Sequence, residues 1–209
     1  MQTAQSFSVA QALNPALRRV PLWLVYLLGC LPPVWLFWLG MTGGLGVDPV
    51  KVLEHRLGEI ALQLMVAVLA VSPLRRLTGL NLLRFRRALG LLAFLYVVLH
   101  LLTWTLLDLQ LQGVWADILE RPYITVGMAA FVLMLPLALT SNDRALRRLG
   151  STAWRRLHLL TYPAALLGVI HYIMLVRIWE TEPLVYLAVI LALLALRLPI
   201  LRKRAQGAG

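Results

Sequence analysis

Six stretches of this chain stay apolar for about the length that crosses a bilayer, and no other feature limits its fold so tightly. They run Val20 to Leu39, Leu57 to Leu74, Ala88 to Leu107, Pro122 to Thr140, Leu157 to Val176 and Pro183 to Leu201. A hydrocarbon core about 30 Å thick takes about 20 residues of helix. Lipid offers no partner to a backbone N–H or C=O, so segments of this length span as helices. The expectation is an all-α polytopic membrane bundle with six transmembrane helices. A polar segment over 1–19 precedes the bundle at 20–201, and a tail over 202–209 follows it. Of the 209 residues 60% are hydrophobic and only 14% charged, which leaves no expectation of a separate soluble domain. Pro32, Pro33, Pro136 and Pro163 fall inside runs, where neighbouring helices must satisfy the carbonyls they free. No internal repeat stands out.

Basic residues set the expected orientation. Arg18 and Arg19, then Arg75, Arg76, Arg84, Arg86 and Arg87, then Arg144, Arg147, Arg148, Arg155 and Arg156, and finally Arg197, Arg202, Lys203 and Arg204 all fall on one side. Only Lys51, Arg56, Arg121 and Arg177 fall on the other. The positive-inside rule makes both termini and the two arginine-rich loops cytoplasmic. The formal charge of +11 is dispersed among loops, not interleaved with exposed aromatics, which argues against nucleic-acid binding. Cys30 is the one cysteine, so neither an intramolecular disulfide, nor a covalently attached c-type haem, nor a cysteine-ligated cluster is expected.

An ionisable residue inside a span is costly and points by default to function. His100 lies about 18 Å along the outward-running third helix and His171 about 21 Å along the fifth, at 1.5 Å per residue, so the two sit at similar depth. Two imidazoles facing one another from different helices are what an axially coordinated haem iron needs. His158 lies at the cytoplasmic end of the fifth helix, about 20 Å before His171. On the third helix the corresponding lower position is Arg86. Arg86 and His100 share a face, whereas His158 and His171 share one only if the helix is distorted, as Pro163 would allow. A guanidinium is a poor iron ligand and binds a propionate or a phosphate more naturally, so a second haem station and an anion contact both stay open at this level. His55, just before the second run, is expected to make surface or substrate-side contacts. Trp23, Trp35, Trp38, Trp104, Trp115, Trp154 and Trp179 read mainly as interfacial anchors.

Taken together, Gly43-Gly-Leu-Gly-Val-Asp-Pro-Val-Lys51, Arg86-Arg-Ala-Leu-Gly90, Leu99-His100-Leu-Leu-Thr103, Arg121-Pro-Tyr-Ile-Thr-Val-Gly127, Leu157-His158 and Ile170-His171-Tyr172 carry a resemblance over nearly the whole chain. It resembles the haem-binding membrane subunit of the bacterial periplasmic protein-methionine-sulfoxide reductase system, within the ferric-reductase-like transmembrane group. That resemblance implies haem b ligated by His100 and His171, with His158 and Arg86 serving a second, cytoplasm-side haem. The wider group usually has histidine on both helices at that level, and Arg86 departs from it. The resemblance further implies FMN as a cofactor and the cell inner membrane as the location. It implies a periplasmic molybdenum-containing reductase as electron acceptor, and the quinone pool or a cytoplasmic flavin reductase as donor.

The expected role is therefore that of an electron-transfer subunit whose partner performs the catalysis. The alternative is a transmembrane ferric or other metal reductase acting with a separate flavin reductase. A haem-free transporter fits poorly, because the spans carry few midplane polar groups beyond the two histidines.

Overall fold

The structure is a computed structural model and describes residues 9–176 and 180–197. Arg177, Trp179, the end of the sixth apolar run through Leu201, and the tail with Arg202, Lys203 and Arg204 lie outside the described residues. Every regular element among the described residues is helical. In order they are α1 (Val9–Arg19), α2 (Leu22–Met41), α3 (Pro49–Thr78), α4 (Arg86–Leu102), α5 (Val114–Glu120), α6 (Pro122–Leu139), α7 (Asp143–Leu157), α8 (Thr161–Leu175) and α9 (Thr181–Ala195). Five segments are long and apolar enough to cross a membrane: α2, α3, α4 with its continuation to Asp108, α6, and α7 with α8. The sixth run is represented by α9, an apolar helix of 15 residues whose expected continuation is among the residues left out.

The core lies among α3, α4, α6 and α8, where Leu62, Met65, Leu69, Ala93, Met134, Ala164, Ala165 and Val169 pack together. Ile190 of α9 closes this cluster on one side. On the other, α2 packs Leu36 and Phe37 against Leu53, Leu57, Ala61 and Tyr96. Most of the remaining α2 surface, including Trp23, Leu31, Val34 and Trp35, is exposed, as befits a helix facing lipid.

Two prolines explain two of the bonds that join these helices. Proline has no N–H, so within a helix it leaves the carbonyl four residues earlier without its usual donor. Pro33 frees the carbonyl of Gly29, and the buried Tyr96 hydroxyl donates to it at 2.9 Å. Pro73 frees the carbonyl of Leu69, and Arg197 donates to it through Nη2 at 2.6 Å. The same guanidinium donates to the Tyr162 hydroxyl at 2.7 Å, so one cation ties α3, α8 and the end of α9 together.

Several local structures escape a reading based on apolar runs. The second run grows into 30 residues of α3, because Asp48 caps the helix by accepting the Lys51 N–H and Pro49 takes the first position. His55 is thus inside α3, not ahead of it. Residues 9–19 form α1, whose Asn14 clasps the α3–α4 turn by donating to Gly79 O at 3.1 Å and accepting from Asn81 N–H at 2.9 Å. The arginine-rich connection before α8 is itself helical, as α7, broken at Gly150 (φ 74°, ψ 157°). Between α7 and α8, His158–Leu160 form a 3₁₀ turn, and Pro163 sits in the first turn of α8. Beyond α4, Thr103–Asp108 widen into a π-helical stretch.

Candidate functional site

His100 is in the last turn of α4 and His171 in the second half of α8, and the bundle brings their rings together with centroids 6.2 Å apart and planes at 77° to one another. Each ring is held the same way. His100 Nδ1–H donates to the backbone carbonyl of Glu54 on α3 at 2.9 Å. His171 Nδ1–H donates to that of Tyr123 on α6 at 2.7 Å. A carbonyl can only accept, so both Nδ1 atoms carry the proton and both Nε2 atoms keep a lone pair free.

Four residues beyond each acceptor carbonyl, one turn along the same helix, stands a glycine. A Cβ on Gly58 would lie 3.1 Å from His100 Nδ1, and one on Gly127 would lie 2.8 Å from His171 Nδ1. Each imidazole therefore lies close against a helix backbone that only glycine leaves bare. The α3–α4 and α6–α8 pairs thus repeat one device of carbonyl, glycine and histidine. The apolar pattern of the sequence, read as free of internal repeats, conceals this duplication because it resides in just three positions of each pair.

A cavity of about 480 Å³ adjoins the two rings. Leu62, Val97, Phe131 and Ala165 give it apolar walls, and Lys51, Arg56 and Arg121 line it together with His55 and the acidic Glu54, Glu59, Asp108 and Glu182. His55, expected to make surface or substrate-side contacts, lines the same cavity as the histidine pair. Trp104 is buried against this cavity too, which replaces the expectation of an interfacial anchor.

Two neighbouring imidazoles whose Nε2 atoms are free suit a metal that brings its remaining ligands with it. Among the described residues no three His, Cys, Asp or Glu side chains gather to hold a bare ion. With metal–imidazole bonds of about 2.0–2.1 Å, as imidazole makes to zinc, rings on opposite sides of one metal have centroids about 6 Å apart. The observed separation meets that requirement, and the fixed tautomer and bare glycine backbones pre-set the rings for it. The residues present fit a haem.

Arg86 and His158 lie together, lining a second cavity of about 330 Å³ at the arginine-rich end. Arg84, Arg87 and Trp154 share this lining. His158 is held differently from the other pair. The Thr140 hydroxyl donates to Pro136 O at 2.6 Å and so accepts from His158 Nε2–H at 3.2 Å. The Trp154 ring stacks on the imidazole with centroids 3.8 Å apart, fixed by its own Nε1–H bond to Thr140 O. Trp154 is therefore another tryptophan engaged in a site. His158–Leu160 form a 3₁₀ turn just before Pro163, and His158 and His171 line different cavities.

Residues 57–169 match the family described as ferric reductase like transmembrane component. Relatives named protein-methionine-sulfoxide reductase heme-binding subunit MsrQ, from Brucella ovis, Brucella canis and Brucella suis, are each 50% identical over 187 residues. The alignments cover 88% of this chain and 84% of each relative. No solved structure matches the chain.

Proposed function

This chain belongs to the family of haem-binding MsrQ subunits of protein-methionine-sulfoxide reductases, with a ferric-reductase-like transmembrane core, and from that premise we propose that it is a b-haem electron-transfer subunit of the bacterial inner membrane. His100 and His171 would hold the haem iron, and the observation that carries the reading is that the two rings lie with centroids 6.2 Å apart, each with Nδ1 bonded to a backbone carbonyl and Nε2 left free. Haem supplies a one-electron carrier at that point. The protein's part is to orient both rings, keep their tautomers and exclude water with apolar walls. Lys51, Arg56 and Arg121 are the cations at this cavity suited to propionates.

The arginine-rich end is the cytoplasmic side, with six spans and both termini there, in keeping with the distribution of basic residues. Electrons enter at this end from the quinone pool or a cytoplasmic flavin reductase, with FMN as a carrier. The Arg86/His158 cavity would hold a second haem or an anionic group of the donor, and His100 and His171 would hold the haem that supplies the one-electron carrier. From the opposite face electrons go to a periplasmic molybdenum-containing reductase that repairs oxidised methionines, the partner being the catalyst. Support for the partner comes from the relatives' names.

The test is the optical spectrum of the purified full chain. Sharp reduced α and Soret bands, lost in His100→Ala and in His171→Ala, are expected. A colourless but stable protein after haem-replete expression would refute the reading. Reoxidation of the reduced protein by the partner reductase with a methionine sulfoxide, faster than by ferric chelates, separates delivery to a partner from direct metal reduction.

A further inference from the structure

A short pattern in α7 recurs on either side of the break at Gly150. Leu146-Arg147-Arg148-Leu149 is followed, eight residues on, by Trp154-Arg155-Arg156-Leu157. On a helix, residues three apart share a face and the two between them turn away from it. Each unit therefore sets a pair of arginines against a pair of apolar residues. Arg147, Arg148, Arg155 and Arg156 are exposed, whereas Leu146, Trp154 and Leu157 are half-buried. None of the four arginines lines either cavity described above, and none forms an ion pair among the described residues. Carboxylates are scarce here. Of the nine Asp and Glu in the chain, Asp143 alone lies at the arginine-rich end, and Arg87 already holds it at 2.7 Å.

The level of these arginines relative to the spans is fixed at two points. Asp143 pairs with Arg87 in the first turn of α4, and Trp154 Nε1–H donates to Thr140 O, just where α6 ends. The pairs thus lie near the level at which α4 and α6 leave the hydrocarbon, where lipid headgroups begin.

We propose that the two arginine pairs of α7 form a binding site for anionic phospholipid in the leaflet at the arginine-rich end. Guanidinium groups bind phosphate through paired N–H donors, and a helix with arginines on one face and apolar side chains on the other suits the boundary between headgroups and acyl chains. Leu149, 44% exposed beside the first pair, supplies an apolar contact that a headgroup-level site uses and a purely aqueous anion does not. The site is separate from the electron-transfer reading and needs no cofactor.

The full chain in neutral detergent is titrated with phosphatidylglycerol or with phosphatidylcholine of the same acyl chains, and bound lipid is counted by native mass spectrometry. The wild type is expected to prefer phosphatidylglycerol by roughly tenfold. Arg147→Gln with Arg148→Gln, or Arg155→Gln with Arg156→Gln, should each reduce that preference, and the four changes together should abolish it. Lysine at the four positions keeps the charge and most of the preference. Arg75→Gln with Arg76→Gln removes two exposed charges from the last turn of α3 and should leave the preference intact. In nanodiscs, amide hydrogen exchange of the wild type over 143–157 should be slower with phosphatidylglycerol than with phosphatidylcholine, a result that requires no variant to fold. An unaltered preference in the fourfold glutamine variant would overturn the site and leave the arginines to water or to an acidic soluble protein. An equal fall in the Arg75/Arg76 variant would overturn it as well, since overall charge would then account for the binding. Displacement of phosphatidylglycerol by an equal concentration of glycerol 3-phosphate would make it a site for free phosphate, not for lipid. Equal exchange over 143–157 in the two nanodiscs would also rule it out.

Discussion

The imidazole of His171 rests on the backbone of Gly127 so closely that a methyl group there would come within 2.8 Å of Nδ1, while the equivalent approach of His100 to Gly58 is 3.1 Å. The two grips share a design but differ in tightness. Gly127→Ala must therefore displace its ring further than Gly58→Ala. Disturbing the groups that orient a metal-bound histidine typically costs about 10–100-fold in affinity. Gly127→Ala is expected in that range and Gly58→Ala below it, measured by haem retention during titration with apomyoglobin. Equal losses, or a greater one at Gly58, would mean that the contacts to glycine do not govern the fit.

The anchoring carbonyls are backbone groups, so the fixed tautomer survives any side-chain change at Glu54 or Tyr123. Glu54→Gln and Tyr123→Phe should each retain the haem bands that His100→Ala and His171→Ala lose. Absorption spectra of the four variants, normalised to protein, check this. Loss of haem in the glutamine variant would assign the Glu54 side chain a ligand-binding role beyond the carbonyl.

His158 and Arg86 share a cavity distinct from that of the histidine pair, so the two levels should be separable. His158→Ala is expected to lower the haem-to-protein ratio in a pyridine haemochrome assay while the low-spin signal of the His100/His171 pair persists. An unchanged ratio would remove His158 from haem ligation and leave this cavity to an anionic group of the donor.

Arg197 compensates for Pro73, and this can be tested by restoring what the proline removes. Arg197→Met leaves the Leu69 carbonyl without its donor and should destabilise the bundle by about 1–2 kcal/mol. Pro73→Ala returns an N–H to the same carbonyl. In the Arg197→Met background it should recover part of the loss in thermal unfolding in detergent, beyond the effect of Pro73→Ala alone. Strictly additive effects would sever the link between the two residues.

Much of this fold is legible in the sequence because a span announces itself by its own composition. The depth of His100 and His171 follows from the same count, since rise per residue is fixed. Rotation about the helix axis and packing between helices are not encoded so locally. Trp104 has the character of an anchor, yet it lines the cavity from the π-helical stretch that follows α4. Gly58 and Gly127 are unremarkable in apolar segments until the opposing ring is in place. His55 falls inside α3 because the Asp48-Pro49 capping signal starts that helix about two turns before the apolar run. The helices α1 and α7 are too polar to span, so apolar runs give no sign of them, and they lie in what the sequence shows only as a polar segment and an arginine-rich loop.

The repeated unit of carbonyl, glycine and histidine has a consequence for biogenesis. Each helix pair carries half of the grip, and neither half alone presents two opposed nitrogens. During synthesis the α3–α4 pair emerges first with His100 already oriented, and it waits for α8 to bring His171 opposite. A group ligated by both rings then works as a rivet between the early and late parts of the chain. Cells starved of that group would be expected to accumulate full-length protein whose two helix pairs are separately inserted but not fastened, a form that membrane proteases could recognise and clear.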